Sequence, residues 1–81
     1  DLHLLSRRQR QMCIRDSCIL ETPQYIYIFE FKLDGSADEA LRQIEENGYA
    51  RPYLADKRKT VCTGVVFSSQ TRTISEWKEV R

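Results

Sequence analysis

The sequence predicts an α/β fold in which one helix packs on a mixed sheet, with the elements in the order β-β-α-β-β. Three observations carry this prediction. A nine-residue hydrophobic run, Tyr25–Leu33, is typical of a strand; a capped amphipathic helix follows it directly; and two β-rich segments come later in the chain. A helix placed between two pairs of strands is typical of an α/β sandwich. The 81 residues are enough for one small domain.

Side chains alternate between the two faces of a strand, and both faces of residues 25–33 are rich in apolar residues. One face is wholly apolar and consists of Tyr25, Tyr27, Phe29, Phe31 and Leu33. The other face consists of Ile26, Ile28, Glu30 and Lys32. Two largely apolar faces predict a strand that is covered on both sides. Because a buried, unpaired carboxylate is costly, Glu30 and Lys32 need each other, a metal ion or a wet cleft.

A short strand precedes this run. Residues 18–21 resemble the end of a strand, and the proline within residues 22–24 favours a turn. The two strands are therefore predicted to form a hairpin. Asp34-Gly35 favours the next turn.

The helix is marked at both ends. Ser36 and Glu39 match a capping box, which predicts a helix from about Ala37 to Asn47 that is ended by Gly48. Its apolar stripe has the i, i+3, i+4, i+7 spacing of one buried face and consists of Ala37, Ala40, Leu41 and Ile44. Gln43 lies on the flank of this stripe, where it either reaches the edge of the sheet or is a solvated helix residue.

The second half of the chain contains two further strands. Residues 51–59 form a connection with room for one helical turn, and the cluster Lys57-Arg58-Lys59 is interpreted as a charged, solvated loop. Residues 60–67 are β-rich and predict a strand. Residues 73–80 mix polar and apolar side chains on both faces, which is typical of an edge strand.

The composition excludes several classes of function. His3 is the only histidine, which argues against serine or cysteine catalysis with a histidine base. Cys13, Cys18 and Cys62 are odd in number and lack C-x-x-C spacing, so neither a disulfide framework nor a zinc site is predicted. No apolar stretch approaches the roughly 18 residues of a membrane span. A reduced, cytoplasmic location is the expectation.

Glu30-Phe31-Lys32 is the strongest candidate for a catalytic motif. A carboxylate binds Mg²⁺ as a hard oxygen ligand, and a lysine two residues on lies on the same face, about 6–7 Å along the strand. Its ammonium group can orient an attacking water or stabilise negative charge that develops on a phosphate. A second carboxylate on a neighbouring strand normally completes such a site. The alternative interpretation is a salt bridge at the end of a strand.

Four segments together resemble the PD-(D/E)XK nuclease superfamily: residues 27–41, 43–44, 48–50 and 64–67. More narrowly, they are similar to the nuclease-like domain at the C-terminus of bacterial, Bacteroidales-type proteins that begin with an AAA-ATPase-like domain. The resemblance implies that residues 18–81 form a truncated restriction-endonuclease-like core. It also implies Mg²⁺ as cofactor, DNA as the substrate of the parent protein, and an AAA-ATPase-like domain in the same parent chain.

The resemblance also implies a role for each matching residue. Glu30 is a metal-ligand carboxylate, and the backbone carbonyl of Phe31 completes the metal shell. Lys32 is the catalytic lysine, and Gln43 matches a glutamine that some branches place near the site on the following helix. Tyr49 lies farther along than the usual Q-x-x-x-Y spacing, so core packing is the alternative for this residue.

Residues 1–17 resemble a translated sequencing-library adapter and are set apart from the fold as an artefact. This segment holds four arginines and two aspartates, whereas the chain holds 13 basic and 12 acidic residues, so residues 18–81 carry a net charge of −1. Net charge therefore gives no argument for binding a polyanion.

The resemblance places the family's defining aspartate at Ser17, where the adapter-like segment ends. Asp16 is adjacent, but a slip of one residue turns a side chain to the opposite face of the sheet. The chain is therefore expected to lack one metal ligand and to be inactive. The alternative is a non-catalytic interaction or regulatory module of nuclease fold, attached to the ATPase-like domain.

Overall fold

The computed structural model describes residues 10–14 and 16–81, and it confirms the α/β prediction. Residues 1–9 and 15, which belong to the adapter-like segment, lie outside the described residues. In chain order the elements are β1 (Arg10–Ile14), β2 (Ser17–Glu21), β3 (Tyr25–Leu33), α1 (Ala37–Asn47), a 3₁₀ turn (Arg51–Tyr53), β4 (Lys59–Phe67) and β5 (Ile74–Val80).

The five strands form one mixed sheet in the order β1-β2-β3-β4-β5. Only β3 and β4 are parallel, and the crossover between them contains α1. The remaining neighbours are antiparallel, so the predicted hairpin of β2 and β3 is confirmed, as is the position of β5 at an edge. The sheet therefore puts β3 at its centre, between β2 and β4.

Strand β1 is an element that the sequence analysis did not predict. It pairs antiparallel with β2, and Cys13 lies directly opposite Cys18 in this pair. A disulfide joins the two cysteines, so the expectation of no disulfide is wrong for this pair. Cysteine spacing along the chain did not indicate the contact, because it depends on a strand that composition did not mark.

Helix α1 begins and ends where the capping residues predict. The Ser36 hydroxyl accepts a hydrogen bond from the Glu39 amide at 3.1 Å, which satisfies one of the open N–H groups of the first turn. Gly48 ends the helix with φ of 66°, in the left-handed region that glycine adopts at little cost. No helix among the described residues is long and apolar enough to cross a membrane.

The core lies between α1 and the face of β3 that carries Ile26 and Ile28. Both isoleucines are fully buried and pack with Ile44 of α1. Gly64 of β4 brings the helix close, because a Cβ atom there would lie 2.6 Å from the carbonyl oxygen of Ala37 and 2.8 Å from the Cβ atom of Ala40. This close approach fixes the height of the helix above the sheet.

The opposite face of β3 is not covered by any helix among the described residues, so the prediction of a strand covered on both sides is wrong. Its aromatic rings are half-buried and stack along the strand, and the row continues onto Phe67 of β4 with neighbouring centroids 5.6–6.4 Å apart. Leu33, at the end of the row, is exposed. The rings on this face gain much of their burial from one another.

Arg58 fixes the connection before β4 to the start of the hairpin. Its guanidinium group contacts Asp56 at 2.7 Å, Glu21 at 2.9 Å and the carbonyl oxygen of Thr22 at 3.1 Å. Hydrogen bonds from the Arg58 side chain and amide lower the pKa of Asp56 from 3.8 to about 2. The interpretation of residues 57–59 as a solvated loop is therefore wrong for Arg58. The sequence alone does not show that Glu21 and Asp56 are its partners.

Candidate active site

Glu30 lies on the helix side of β3, near the end of the strand. It is 5% exposed, and in the sheet it lies between Ser17 of β2 and Gly64 of β4. The Ser17 hydroxyl donates a hydrogen bond to Oε1 of Glu30. The buried carboxylate therefore has a partner, which lowers the large cost of removing it from water.

Ser17 occupies the position that the sequence analysis expected for a second carboxylate. It pairs directly with Glu30, so its side chain lies on the same face of the sheet. The Phe31 amide donates to the carbonyl oxygen of Asp16 at 2.7 Å, which continues this register by one residue. In that register Asp16 lies opposite Phe31. The carboxylate of Asp16 is therefore one residue away from the position that pairs with Glu30.

Lys32 follows on the face of Glu30, two residues farther toward the end of β3. It pairs with Val66 of β4 and is half-buried. Phe31, between the two, turns its side chain to the aromatic face, where its ring stacks on Phe29 and Phe67. Only the backbone of Phe31 is therefore on the line between Glu30 and Lys32.

Helix α1 supplies the other side of the site. Gln43 and Asn47 are one turn apart and lie on one face of the helix. The Asn47 amide nitrogen donates to the hydroxyl oxygen of Tyr49 at 3.1 Å. The capped C-terminus of the helix thereby brings the Tyr49 hydroxyl to the side chains of the last turn.

These residues line one cleft of about 580 Å³. Its lining consists of Asp16, Ser17, Glu30, Lys32, Gln43, Asn47 and Tyr49. The structure thus brings together Glu30, Lys32 and Gln43, and it places Tyr49 with them. Phe31 lines a smaller neighbouring pocket of about 290 Å³ instead.

Sequence reasoning missed Asn47 in this cleft. The signal was present, because Asn47 is four residues after Gln43 and residues at this spacing lie on the same side of a helix. As the last residue of the helix it was interpreted only as part of a boundary. It adds an amide that both donates and accepts hydrogen bonds.

The donor atoms in the cleft fit only part of a magnesium site. Mg²⁺ binds to oxygen ligands and usually takes one or two carboxylates together with phosphate oxygens and water. Here the buried carboxylate of Glu30 is paired with the Ser17 hydroxyl, a neutral group. No group of three His, Cys, Asp or Glu residues that could hold a metal occurs within residues 10–14 and 16–81. The residues present therefore do not fit a complete site for the ion.

The cleft has hydrogen-bond donors that suit an anion. Lys32 contributes an ammonium group, and Gln43 and Asn47 contribute amide groups. Charge-assisted hydrogen bonds from such groups to phosphate oxygens are stronger than bonds between neutral groups. The arrangement can hold a phosphate beside Glu30, although the second carboxylate in the lining, that of Asp16, is one position away from the place opposite Glu30.

Comparison with known proteins gives one positive result. The family model of the PD-(D/E)XK nuclease superfamily matches residues 15–77, which include β2, β3, α1, β4 and part of β5. The match begins at residue 15, inside residues 1–17, which were expected to lie outside the fold. No curated protein and no solved structure matches the chain with significance. The match covers most of the chain and includes every residue of the cleft, and the chain therefore belongs to the PD-(D/E)XK nuclease superfamily.

Proposed function

We propose that this chain is part of a nuclease domain whose parent protein hydrolyses DNA phosphodiester bonds with Mg²⁺, and that the chain itself is inactive. The observation that carries the proposal is the Ser17–Glu30 hydrogen bond in a cleft shared with Lys32 and Gln43. The cleft retains the residues that act on a phosphate. It has a neutral hydroxyl where a second carboxylate is needed.

Each residue then has a definite role. Glu30, together with the backbone carbonyl of Phe31, contributes ligands for the ion but does not form a site without a second carboxylate. Lys32 stabilises negative charge that develops on the phosphate during attack by water. Gln43 and Asn47 donate hydrogen bonds that orient the phosphate in the cleft. DNA is the expected substrate because the family is one of nucleases.

A second candidate is a non-catalytic interaction or regulatory module of nuclease fold, attached to an AAA-ATPase-like domain in a bacterial, cytoplasmic parent protein. In this chain the Ser17 hydroxyl satisfies the buried carboxylate of Glu30 without binding a metal, and a parent protein with a serine at this position would fit this candidate. The two candidates differ in one residue of the parent protein. A carboxylate at the position of Ser17 supports catalysis, and a serine there supports the interaction module.

The experiment is a cleavage assay on the intact parent protein with labelled DNA and Mg²⁺. We expect Lys32→Ala and Glu30→Ala each to reduce the cleavage rate by at least about 100-fold, the scale of a lost electrostatic contact to a transition state. Glu46→Ala, at an exposed position of α1, is the control and should leave the rate unchanged. Unchanged cleavage in both site variants would contradict the site. No cleavage by a parent protein that carries a carboxylate at position 17 would favour the interaction module.

A further inference from the structure

Strand β5 has an open edge. It is the last strand of the sheet, and all seven of its residues are exposed. Trp77 is 65% exposed, and Ile74 and Val80 are about half exposed. No strand among the described residues pairs with its outer side, so the outward backbone groups of β5 can pair with a strand from another chain.

The sequence of β5 is complementary to itself when two copies run antiparallel with Trp77 at the centre. The two side chains of each pair then lie on the same face of the sheet. The two residues of a pair are equally far from residue 77, one before it and one after it. Glu76 of each copy lies opposite Lys78 of the other, on the face that the helix covers. Trp77 lies opposite the second Trp77. A bulge at Ser75 puts Ile74 on the opposite face of β5 from Glu76, so the symmetric pairing is confined to residues 76–78. The interface thus contains two opposite-charge pairs and one aromatic pair.

Neighbouring registers lack this complementarity. Because paired side chains share a face, a two-fold axis normal to the sheet must pass through a residue position and not between two residues. With the axis at Glu76, two glutamates face each other. With the axis at Lys78, two lysines face each other and Glu76 lies opposite Val80. Like charges directly opposite destabilise a strand pair, so the register at Trp77 is favoured.

We propose that β5 is a homodimer interface, in which a second copy of this chain pairs antiparallel about Trp77 and extends the sheet to ten strands. The interface is isologous, since the same residues contribute on both sides. It is also small, because it consists of one short strand from each copy, and small interfaces are typical of weak association.

Existing contacts of β5 with the helix are compatible with this pairing. Oε1 of Glu76 accepts from the Ala37 amide at 2.6 Å, and Nζ of Lys78 contacts Asp38 at 2.8 Å. A carboxylate has about four acceptor positions and an ammonium group has three donors. The Lys78 side chain is 56% exposed. Each charged group can therefore take a partner across the dimer and keep its contact with α1.

The first test uses Trp77, the only tryptophan of the chain, as a reporter. We expect its fluorescence emission to shift to shorter wavelength as the concentration of the full chain rises from about 10 µM to 1 mM, the range of a weak interface. Sedimentation equilibrium over the same range should show a reversible dimer. A monomer with constant emission throughout, or a dimer that persists in denaturant until it is reduced, would overturn the proposal.

Charge reversal tests the register. Glu76→Lys puts two lysines opposite each other at two places, and Lys78→Glu does the same with two glutamates, so each variant should raise the dissociation constant about tenfold or more. The double variant Glu76→Lys/Lys78→Glu restores opposite charges across the interface and should return to within about threefold of the native value. Glu46→Lys makes the same change in net charge on an exposed part of α1 and should have no effect.

The double variant also separates the interface from the contacts within one chain. It loses the acceptor of the Ala37 amide and places a carboxylate beside Asp38, so contacts to the helix are worse than in either single variant. Recovery of the dimer in this variant therefore supports pairing between copies. Failure to recover, with circular dichroism showing a folded chain, would overturn the proposed register, as would single variants that behave like Glu46→Lys.

Discussion

Strands β2 and β3 meet at the site, and they contribute to it unequally. β3 carries Glu30 and Lys32 on the face that the helix covers, and both side chains line the cleft. β2 carries Ser17 at the position directly opposite Glu30. The hydroxyl satisfies the carboxylate by a hydrogen bond and adds no negative charge. One strand thus carries the two charged candidate residues, while its neighbour places a neutral hydroxyl beside Glu30.

The difference shows that every buried polar group can have a hydrogen-bond partner in a site that has too few ligands for a metal ion. Among the described residues, no buried side-chain nitrogen or oxygen atom lacks a hydrogen-bond partner. Folding requires only that the buried Glu30 carboxylate be paired, whereas a divalent ion requires charge and several oxygen ligands. Stability measurements and metal-binding measurements on the same variants should therefore give different results.

The largest effect on stability is expected from Ser17→Ala, which leaves the Glu30 carboxylate without its partner. Loss of a hydrogen bond to a buried charged group should destabilise the chain by about 2–3 kcal/mol. Urea unfolding followed by circular dichroism measures the difference. The control is Ser17→Ala combined with Glu30→Gln, which removes the charge and should recover part of the loss. A Ser17→Ala variant as stable as the native chain would contradict the pairing.

A slightly smaller effect is expected from Gly64→Ala, which moves α1 away from β3 and β4. The added methyl group would lie 2.6 Å from the Ala37 carbonyl oxygen, a backbone atom, so the helix must shift. We expect a loss of about 2 kcal/mol, typical of overpacking in a core. Gly35→Ala is the matched control, because its methyl group would meet the flexible carboxylate of Glu39 at 3.3 Å. Equal unfolding free energies for the two variants would show that the helix is not held as closely as described.

The smallest effect concerns the other end of β2, where Arg58 contacts Glu21 and Asp56. Hydrogen bonds from Arg58 hold the pKa of Asp56 near 2, below its ordinary value of 3.8. The folded chain thus binds the proton less readily than the unfolded chain, so this contribution to stability is complete above about pH 4 and is lost as the pH falls toward 2. Thermal unfolding between pH 5 and pH 2 measures it. Asp56→Asn should flatten this part of the profile, and a profile unchanged by that substitution would contradict the assignment.

Local signals predicted the elements from which the site is built. The alternating run at 25–33 and the capping residues Ser36 and Gly48 placed β3 and α1 at their observed bounds. Helical periodicity left Gln43 either at the edge of the sheet or in solvent, and the structure places it in the cleft with Glu30. The family resemblance placed the missing aspartate at Ser17, and the structure pairs Ser17 with Glu30.

Contacts between distant segments could not be predicted in the same way. β1 and its disulfide depend on pairing with β2, and the partners of Arg58 come from another part of the chain. The aromatic face of β3 has the composition of a face that another element covers. Its rings instead pack on one another along the strand. Composition gives the polarity of a face, and it does not show which element covers that face.

Isothermal titration of Mg²⁺ into the native chain and into Ser17→Asp, under the same conditions, shows whether Ser17 leaves the site incomplete. The variant supplies a second carboxylate opposite Glu30, on the same face of the sheet. We predict weak binding at best by the native chain and binding at least about tenfold tighter by Ser17→Asp. Adding Glu30→Gln to that variant should abolish the gain. Tight binding by the native chain, or equal affinities of the native chain and Ser17→Asp, would contradict the claim that Ser17 leaves the site incomplete.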